Sequence, residues 1–174
     1  IGSSNLAAWQ VTDASWLART SGTQRFISAQ NEYSLYNRLA EEELVPACEA
    51  AGVGLLPYFP LAYGLLTGKY RRGEAAPEGT RLAAPNQTSR LANADWDRIE
   101  ALQKFADARD ISLLELAISG LAAQPAVASV ICGATRPEQV AANVGALAWE
   151  PTLEELDALD ELAQTPVFSY TTFA

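Results

Sequence analysis

The segment 57–70, PYFPLAYGLLTGKY, starts as an apolar run and ends with two glycines, a threonine and a lysine. Glycine permits sharp turns and close backbone approach. The Thr67 hydroxyl, backbone amides and the Lys69 ammonium group suit an anion such as a phosphate. The segment therefore predicts an anion-binding loop. The alternative is a solvated loop with ordinary surface charges. Four further basic residues follow and would add positive charge: Arg71, Arg72, Arg81 and Arg90.

The composition restricts the chemistry that the chain could perform. Its 174 residues, 49% of them hydrophobic, allow one domain with a core. No histidine is present, so neither a Ser–His nor a Cys–His nucleophile pair can form. The two cysteines, Cys48 and Cys132, lack the spacing of a zinc site, and we expect no metal. A general acid or base near neutral pH would have to be a perturbed carboxylate, tyrosine or lysine.

The net charge, the lack of a long apolar run or secretory signal, and the isolated cysteines predict a cytoplasmic protein. The net charge of −9 disfavours nucleic acid and anionic membrane surfaces as partners. No apolar run reaches about 18 residues, and the start lacks the basic flank of a secretory signal. Two isolated cysteines indicate reduced thiols. The chain contains no methionine, so we expect a fragment or a processed product.

Short apolar strands alternate with longer helical patterns. We expect strands near 1–3, at 26–30, within VGLLPYFPL and at 127–132. This alternation predicts βαβ units and a parallel sheet, hence an α/β fold. The stretch 64–93 has no strong period and follows the end of a strand, where parallel folds place ligands. The tail, 164–174, has no clear periodicity.

The helices are predicted from capping signals and apolar spacing. The first covers 6–18, with Trp9 and Trp16 on or near its buried side, and the next is acidic in its first turn and ends at Gly52. A helix over 95–109 has Asn93 as a possible cap. Capping boxes start two others, Ser112 with Glu115 and Thr152 with Glu155. Pro137 lies near the first turn of a further helix.

Small or polar residues follow all four predicted strands, at 3–5, 30–32, 58–63 and 133–135. In a parallel sheet these clusters would emerge on one side. Any one of them is ordinary loop material. Because the four clusters follow four strands in register, they predict a shared ligand site.

These segments resemble the aldo-keto reductases, in the branch that includes bacterial reductases and potassium-channel beta subunits. IGSSN is similar to the end of the family's fifth barrel strand, and AQNEYSLYNR to the segment after the sixth. PYFPLAYGLLTGKY and SVICGATRPEQVAANV resemble the segments after the seventh and eighth. The resemblance implies that residues 1–174 are the C-terminal half, strands 5 to 8, of one (β/α)8 barrel domain.

The resemblance also implies a nicotinamide dinucleotide cofactor, NADP in preference to NAD. Ser4, Asn5 and Gln30 match positions that hydrogen-bond the nicotinamide carboxamide, and Tyr58 matches the aromatic that stacks on its ring. The remaining matched positions divide into a backbone under the pyrophosphate, a strap over the phosphates and an adenosine end. The backbone under the pyrophosphate comprises Phe59, Pro60, Leu61 and Ala62. The strap comprises Thr67, Lys69 and Arg81, in a cofactor-covering loop at 64–93. The adenosine end comprises Gly133, Thr135, Gln139 and Asn143.

Several positions depart from the family pattern. Phe59 replaces the usual serine, and Tyr63 adds a bulky aromatic within the loop. Ala142 lies where the family often has a glutamate, and Cys132 replaces a common proline. Gln139 lies where an arginine would favour NADP. These departures affect the adenine end more than the recognition of nicotinamide.

The implied activity is NAD(P)H-dependent reduction of an aldehyde or ketone, a small carbonyl substrate, to an alcohol. The family's catalytic Asp, Tyr, Lys and His belong to the first four strands, so we expect no catalytic residue here and no activity from this chain alone. An open half-barrel would expose two strand edges and an apolar face. We therefore expect the missing N-terminal half as partner, with a second copy as the alternative. A non-catalytic NADP-binding regulatory subunit and a structural domain with a decayed site are the competing functions.

Overall fold

The computed structural model describes residues 1–163, so the predicted tail at 164–174 lies outside the described residues. The chain forms an α/β fold in which helices pack around a small parallel sheet. The elements, in chain order, are β1 (Gly2–Ser4), α1 (Ala8–Ser21), β2 (Ser28–Gln30), α2 (Leu44–Ala51), β3 (Gly54–Leu55), α3 (Thr88–Ala92), α4 (Trp96–Asp107), α5 (Leu113–Ala122), α6 (Pro137–Gly145) and α7 (Leu153–Ala163). Three 3₁₀ turns occupy Leu39–Glu41, Ala62–Thr67 and Arg81–Ala83.

The sheet has the order β1-β2-β3, and both strand pairs are parallel. Ser4 pairs with Gln30, and Ala29 pairs with Leu55. The predicted strands are therefore present but short. The expected strand at 127–132 is reduced to two parallel bridges, Leu55 with Val127 and Tyr58 with Ile131. Even so, these bridges continue the sheet at β3, and the carboxyl ends of the strands share one edge.

Local capping signals position several helices as the sequence predicts. The Ser112 hydroxyl accepts from the Glu115 backbone N–H at 3.1 Å, while the Glu115 carboxylate accepts from the Ser112 N–H at 2.7 Å. The same reciprocal pair joins Thr152 and Glu155 at the start of α7. Pro137 is the first residue of α6, where its missing N–H costs nothing. These capping predictions are confirmed.

Three helix predictions are wrong in detail. Asp95, not Asn93, caps α4, because its carboxylate accepts from the Arg98 N–H at 3.1 Å. The acidic residues at 41–43 precede α2, because Glu41 ends a 3₁₀ turn and α2 begins at Leu44 with Glu43 as its N-cap. Trp9 and Trp16 are 68% and 61% exposed. At 100° per residue they lie roughly 160° from the buried face of α1, which carries Val11 and Ala18.

Two apolar clusters form the core on either side of α5. One packs the sheet against α1 and α2 and includes Val11, Leu55 and Leu121. The other joins α4, α5 and α7 to the long loop and includes Leu66 and Leu116. The loop at 64–93 is therefore packed and contains 3₁₀ turns and α3, whereas the sequence suggested no regular structure there.

Cys48 and Cys132 are both free thiols, as predicted. Cys48 is buried in α2, and Cys132 is partly buried after the last bridge of the sheet. Of the helices within residues 1–163, none combines the length and hydropathy that crossing a membrane would require.

Candidate functional site

The carboxyl edge of the sheet brings four predicted site residues together. The Asn5 N–H donates to the Gln30 carbonyl oxygen at 2.9 Å. The Tyr58 hydroxyl, 53 residues further along the chain, donates to the Asn5 side-chain oxygen at 2.8 Å. The Asn5 amide nitrogen in turn donates to the Ser4 hydroxyl oxygen at 3.2 Å. Ser4, Asn5, Gln30 and Tyr58 thus form one polar group at this edge.

Three aromatic rings extend from this polar group. Tyr58 and Phe59 make an edge-to-face contact with ring centroids 5.1 Å apart. Phe59 lies 4.4 Å from Tyr63 at an interplanar angle of 36°. We call these three residues the aromatic shelf. Phe59 is the middle ring and contacts both of the others.

The backbone under the aromatic shelf adopts left-handed conformations without glycine. Phe59, Ala62 and Tyr63 have φ angles of 55°, 45° and 60°, and Asn5 has 56°. Of the other non-glycine residues in 1–163, only Asp110 has positive φ. Such residues cost free energy and cluster at functional sites. The strain is concentrated where Ala62 and the predicted pyrophosphate-facing residues Pro60 and Leu61 lie.

The strap, residues 64–93, turns back towards the aromatic shelf. Gly64 and Gly68 have φ angles of 98° and 75°, which explains the two glycines of the segment. The Thr67 hydroxyl donates to the Gly64 carbonyl at 2.7 Å and closes the turn. Arg72 anchors the strap to α4, where its Nε donates to Glu100 at 2.9 Å.

Three cations of the strap face aromatic rings instead of carboxylates. The Lys69 ammonium lies 5.2 Å from the Tyr70 ring centroid. Arg81 lies 5.5 Å from Phe59 and 5.2 Å from Tyr63, and Arg90 lies 3.8 Å from Tyr63. Within residues 1–163 these three cations, the rim cations, have no carboxylate at ion-pair distance. Their positive charge therefore remains available to an anion.

The fourth predicted segment follows the bridge between Tyr58 and Ile131. Gly133 is exposed, and a Cβ atom added there would meet no other atom within 4 Å. Asn143 lies half-buried on α6. The Gln139 side-chain oxygen accepts from the backbone N–H of Thr135 at 2.7 Å and of Arg136 at 3.2 Å. Two backbone amides at the start of α6 are thus satisfied internally. Gln139 acts here as a helix cap.

Two titratable groups near the carboxyl edge of the sheet, Tyr33 and Cys132, have raised pKa values. Burial, together with the hydrogen bond to Glu41, raises the pKa of Tyr33 far above its ordinary value. Burial also raises the pKa of the Cys132 thiol. Both changes hold the proton on the side chain at neutral pH. Neither group is therefore tuned to act as a proton donor or nucleophile.

The sequence profile of the Aldo/keto reductase family matches residues 1–164. This chain belongs to that family. The chain spans about half the length of the curated relatives it matches, with 52% coverage of a rice protein and 47% of a fungal one.

Those relatives differ in their described roles. A probable voltage-gated potassium channel subunit beta of Oryza sativa subsp. japonica is 36% identical over 172 residues, which cover 94% of this aldo/keto reductase chain. Versiconal hemiacetal acetate reductase of Aspergillus parasiticus is 28% identical over 92% of the chain. L-glyceraldehyde 3-phosphate reductase of Escherichia coli (strain K12) is 35% identical over 68% of the chain and 36% of its own length.

The sequence did not predict that Arg90 contacts Tyr63. Arg90 was noted only as one more basic residue, because no family motif includes it. It reaches Tyr63 through the irregular path of the strap, 27 residues along the chain. The bulky Tyr63, which departs from the family pattern, is the feature of the sequence that could have indicated this contact.

Proposed function

We propose that this chain is the cofactor-binding, C-terminal half of an NAD(P)H-dependent oxidoreductase that reduces aldehydes or ketones to alcohols. The observation that carries the proposal is the convergence of strained backbone, aromatic rings and uncompensated cations at one edge of a parallel sheet. Ligands of parallel α/β folds bind at that edge. Membership of the aldo/keto reductase family supports the same class of reaction.

The residues present fit a dinucleotide. Asn5 and Gln30 supply amide donors and acceptors of the kind that a carboxamide requires. Tyr58 offers a flat apolar face with its hydroxyl already held by Asn5. Lys69 and Arg81 supply positive charge without internal compensation. A ligand with a planar amide-bearing ring at one end and phosphates nearby satisfies all three groups.

Each group has a separate task in this proposal. When bound, the cofactor supplies the hydride that reduces the carbonyl. Ser4, Asn5 and Gln30 orient its carboxamide, and Tyr58 covers one face of the ring. The backbone of Phe59, Pro60, Leu61 and Ala62 passes beneath the diphosphate, and Thr67, Lys69 and Arg81 close over it. Gly133, Thr135, Gln139 and Asn143 border the adenosine, with NADP proposed over NAD.

We propose that the proton for the alcohol comes from the N-terminal half of the barrel, to which the family resemblance assigns the catalytic residues. Tyr33 is held protonated by burial and by Glu41, which also excludes it as a donor. We therefore assign no catalytic role within this chain and no activity to it alone. The two free thiols favour a reducing compartment such as the cytoplasm.

The proposed partner is the N-terminal half of the same barrel. β1 is an edge strand of the described sheet, and Ile1 beside it is exposed. The helix that follows, α1, exposes Trp9, Trp16 and Leu17. An apolar helix face and an open strand edge are together what a preceding βα unit would cover.

Tryptophan accessibility tests this partner. In the full-length protein, replacing Trp9 and Trp16 with phenylalanine should remove part of the emission that is shielded from acrylamide, while the partly buried Trp96 and Trp149 stay shielded. In residues 1–174 alone, the same two tryptophans should be quenched freely. If residues 1–174 shield them by forming a stable dimer in ultracentrifugation, a second copy is the partner instead.

Cofactor binding is tested by the quenching of tryptophan fluorescence in the full-length protein during titration with NADPH and NADH. Lys69→Ala combined with Arg81→Ala should weaken binding about 100-fold, because two hydrogen bonds to charged groups are lost. The charge-matched control, Arg25→Ala with Lys104→Ala, should leave binding unchanged. Absence of saturable quenching, or full binding by the Lys69 and Arg81 double variant, would contradict the proposal.

A non-catalytic NADP-binding regulatory subunit is the second candidate, favoured by the similarity to the probable channel beta subunits. Both functions require the same cofactor site. They differ in turnover. Oxidation of bound NADPH by an aldehyde, followed by absorbance in a single-turnover experiment, would identify the reductase, and a bound cofactor that no carbonyl panel oxidises would favour the subunit.

A further inference from the structure

Tyr63 holds two guanidinium groups at once. The Arg81 guanidinium carbon lies 5.2 Å and that of Arg90 lies 3.8 Å from the centroid of the same ring. The first distance is typical of a cation–π contact, and the second is a close stack. Arg81 belongs to a 3₁₀ turn and Arg90 to α3, so the path of the strap brings them together from separate elements.

Two like charges at one ring repel each other unless something compensates for them. The Arg90 Nε donates to the Gln87 side-chain oxygen at 2.9 Å, and this acceptor is neutral. Within the described part of the chain, neither Arg81 nor Arg90 has a carboxylate at ion-pair distance. The chain carries 21 acidic residues, so carboxylates are not scarce. The pair is arranged for an anion that the protein itself does not supply.

Stacking leaves the donors of an arginine available. A guanidinium that lies on a ring uses its flat face, while its N–H groups point outwards in its own plane. Arg90 contributes only its Nε to Gln87 and so keeps its terminal N–H groups for another acceptor. Planar pairs of N–H donors match the oxygen pairs of a phosphate in a bidentate arrangement. Two such arginines match two linked phosphates.

We infer that Arg90, stacked on Tyr63, is a second diphosphate-binding arginine beside Arg81. The inference rests on the proposed cofactor function and names a residue that the family motifs do not include. Phe59 replaces the serine hydroxyl of the family pattern with ring surface, and Tyr63 adds a second ring beside it. That surface orients both guanidiniums, and the second arginine takes over the interaction that the hydroxyl would have made.

The test compares Arg90→Ala and Arg90→Lys with wild type in the full-length protein, titrated with NADPH and NADH. Arg90→Ala should weaken both cofactors about 10-fold and equally, because both contain the diphosphate. Arg90→Lys should recover part of the affinity, since it restores charge without the planar donors. Arg25→Ala, which removes the same charge from the segment before β2, should change neither cofactor's affinity.

Salt dependence separates a phosphate contact from a purely structural tether. Raising the ionic strength should weaken wild-type binding more steeply than binding by Arg90→Ala, because the variant has lost one screened charge interaction. Equal salt dependence, or a change below twofold in Arg90→Ala, would overturn the inference while the Lys69 and Arg81 result still supports the cofactor site. Weakening of NADPH alone would assign Arg90 to a 2′-phosphate and overturn the diphosphate assignment. A wild-type protein that binds neither cofactor would overturn both proposals.

Discussion

The rim cations and the arginines of the helical layer use positive charge in opposite ways. We use the term helical layer for α4, α5 and α7 together with the residues 38–41 and 109, which pair with or lie beside α7. In the layer, Arg38 is 5% exposed and is bound at 2.6 Å by both Glu41 and Asp160, the latter on α7. Arg109 of the same layer pairs with Glu155 at 2.9 Å. Lys69, Arg81 and Arg90 at the rim face aromatic rings.

The difference separates a stabilising arrangement from a binding arrangement. A buried arginine needs its carboxylates, because a desolvated charge without a partner is costly. Burial lowers the pKa of Arg38, yet the hydrogen bonds to Glu41 and Asp160 outweigh it and leave the pKa above its ordinary value. The rim cations are exposed and tolerate the lack of a partner. Their charge can therefore contribute to affinity, which a compensated charge cannot.

The largest expected effect comes from removing a carboxylate of the layer. Glu41→Ala should lower the free energy of unfolding by about 3 kcal/mol, since it removes one of the two carboxylates of Arg38 and the acceptor of the Tyr33 hydroxyl. Urea unfolding of the full-length protein measures this loss. NADPH affinity, measured where the variant is fully folded, should stay within about twofold of wild type because no charge at the rim has changed.

Glu42→Ala is the matched control for that change. Glu42 is the next residue and is exposed, so its removal should shift stability by less than about 0.5 kcal/mol. A cost for Glu41→Ala as small as that of the control would mean that the buried pairs are not what stabilises this layer. A large loss of cofactor affinity would break the separation between the two regions.

An intermediate effect should follow from giving a rim cation the carboxylate that it lacks. Gln87→Glu replaces the neutral acceptor of Arg90 with a charged one of the same shape. The new pair should add about 0.2–0.5 kcal/mol of stability, as expected for residues three apart on a helix. Cofactor affinity should fall about fivefold, or roughly 1 kcal/mol, because the arginine's charge is now compensated.

Asn86→Asp controls for the added charge, because it makes the same amide-to-carboxylate change at the exposed neighbouring position. It should weaken cofactor binding less than Gln87→Glu does. Equal weakening by the two variants would show that general repulsion, not the pairing of Arg90, is responsible. Unchanged binding in Gln87→Glu would argue that Arg90 makes no contact with an anion.

Local patterns in the sequence predicted what depends on local contacts. The capping boxes at Ser112 and Thr152 were correct because both partners lie within four residues of each other. The shared edge of the strand ends followed from parallel topology, and the Asn5–Tyr58 bond is its product. The distinction between NADP and NAD stays a prediction, since Gln139 is occupied as a cap.

The predictions that were wrong or missing depend on tertiary contacts. Trp9 and Trp16 were expected on or near the buried side of α1, but the residues that α1 buries are Val11, Ser15 and Ala18. Asn93 and Asp95 are both good caps, and only the path of the chain selects between them. Arg90 meets Tyr63 through an irregular strap that has no period to extrapolate. Each case depends on a contact distant in sequence.

The smallest expected effect concerns pH and belongs to the layer alone. The pKa of Glu115 lies below its ordinary value of 4.5 because the Ser112 side chain and backbone hydrogen-bond its carboxylate. A carboxylate with a depressed pKa contributes stability that is present above pH 4.5 and is lost as the pH falls through its folded-state value.

Glu115→Gln keeps a capping acceptor but cannot titrate. It should cost about 0.5 kcal/mol at pH 7 and make the acid limb of stability shallower below pH 4.5. Urea unfolding at several pH values measures both effects, with Glu154→Gln in the first turn of α7 as control. Glu115 is not one of the rim residues, so the pH dependence of NADPH binding should be the same in variant and wild type. A shift in that pH dependence would mean that the two regions are coupled through α5.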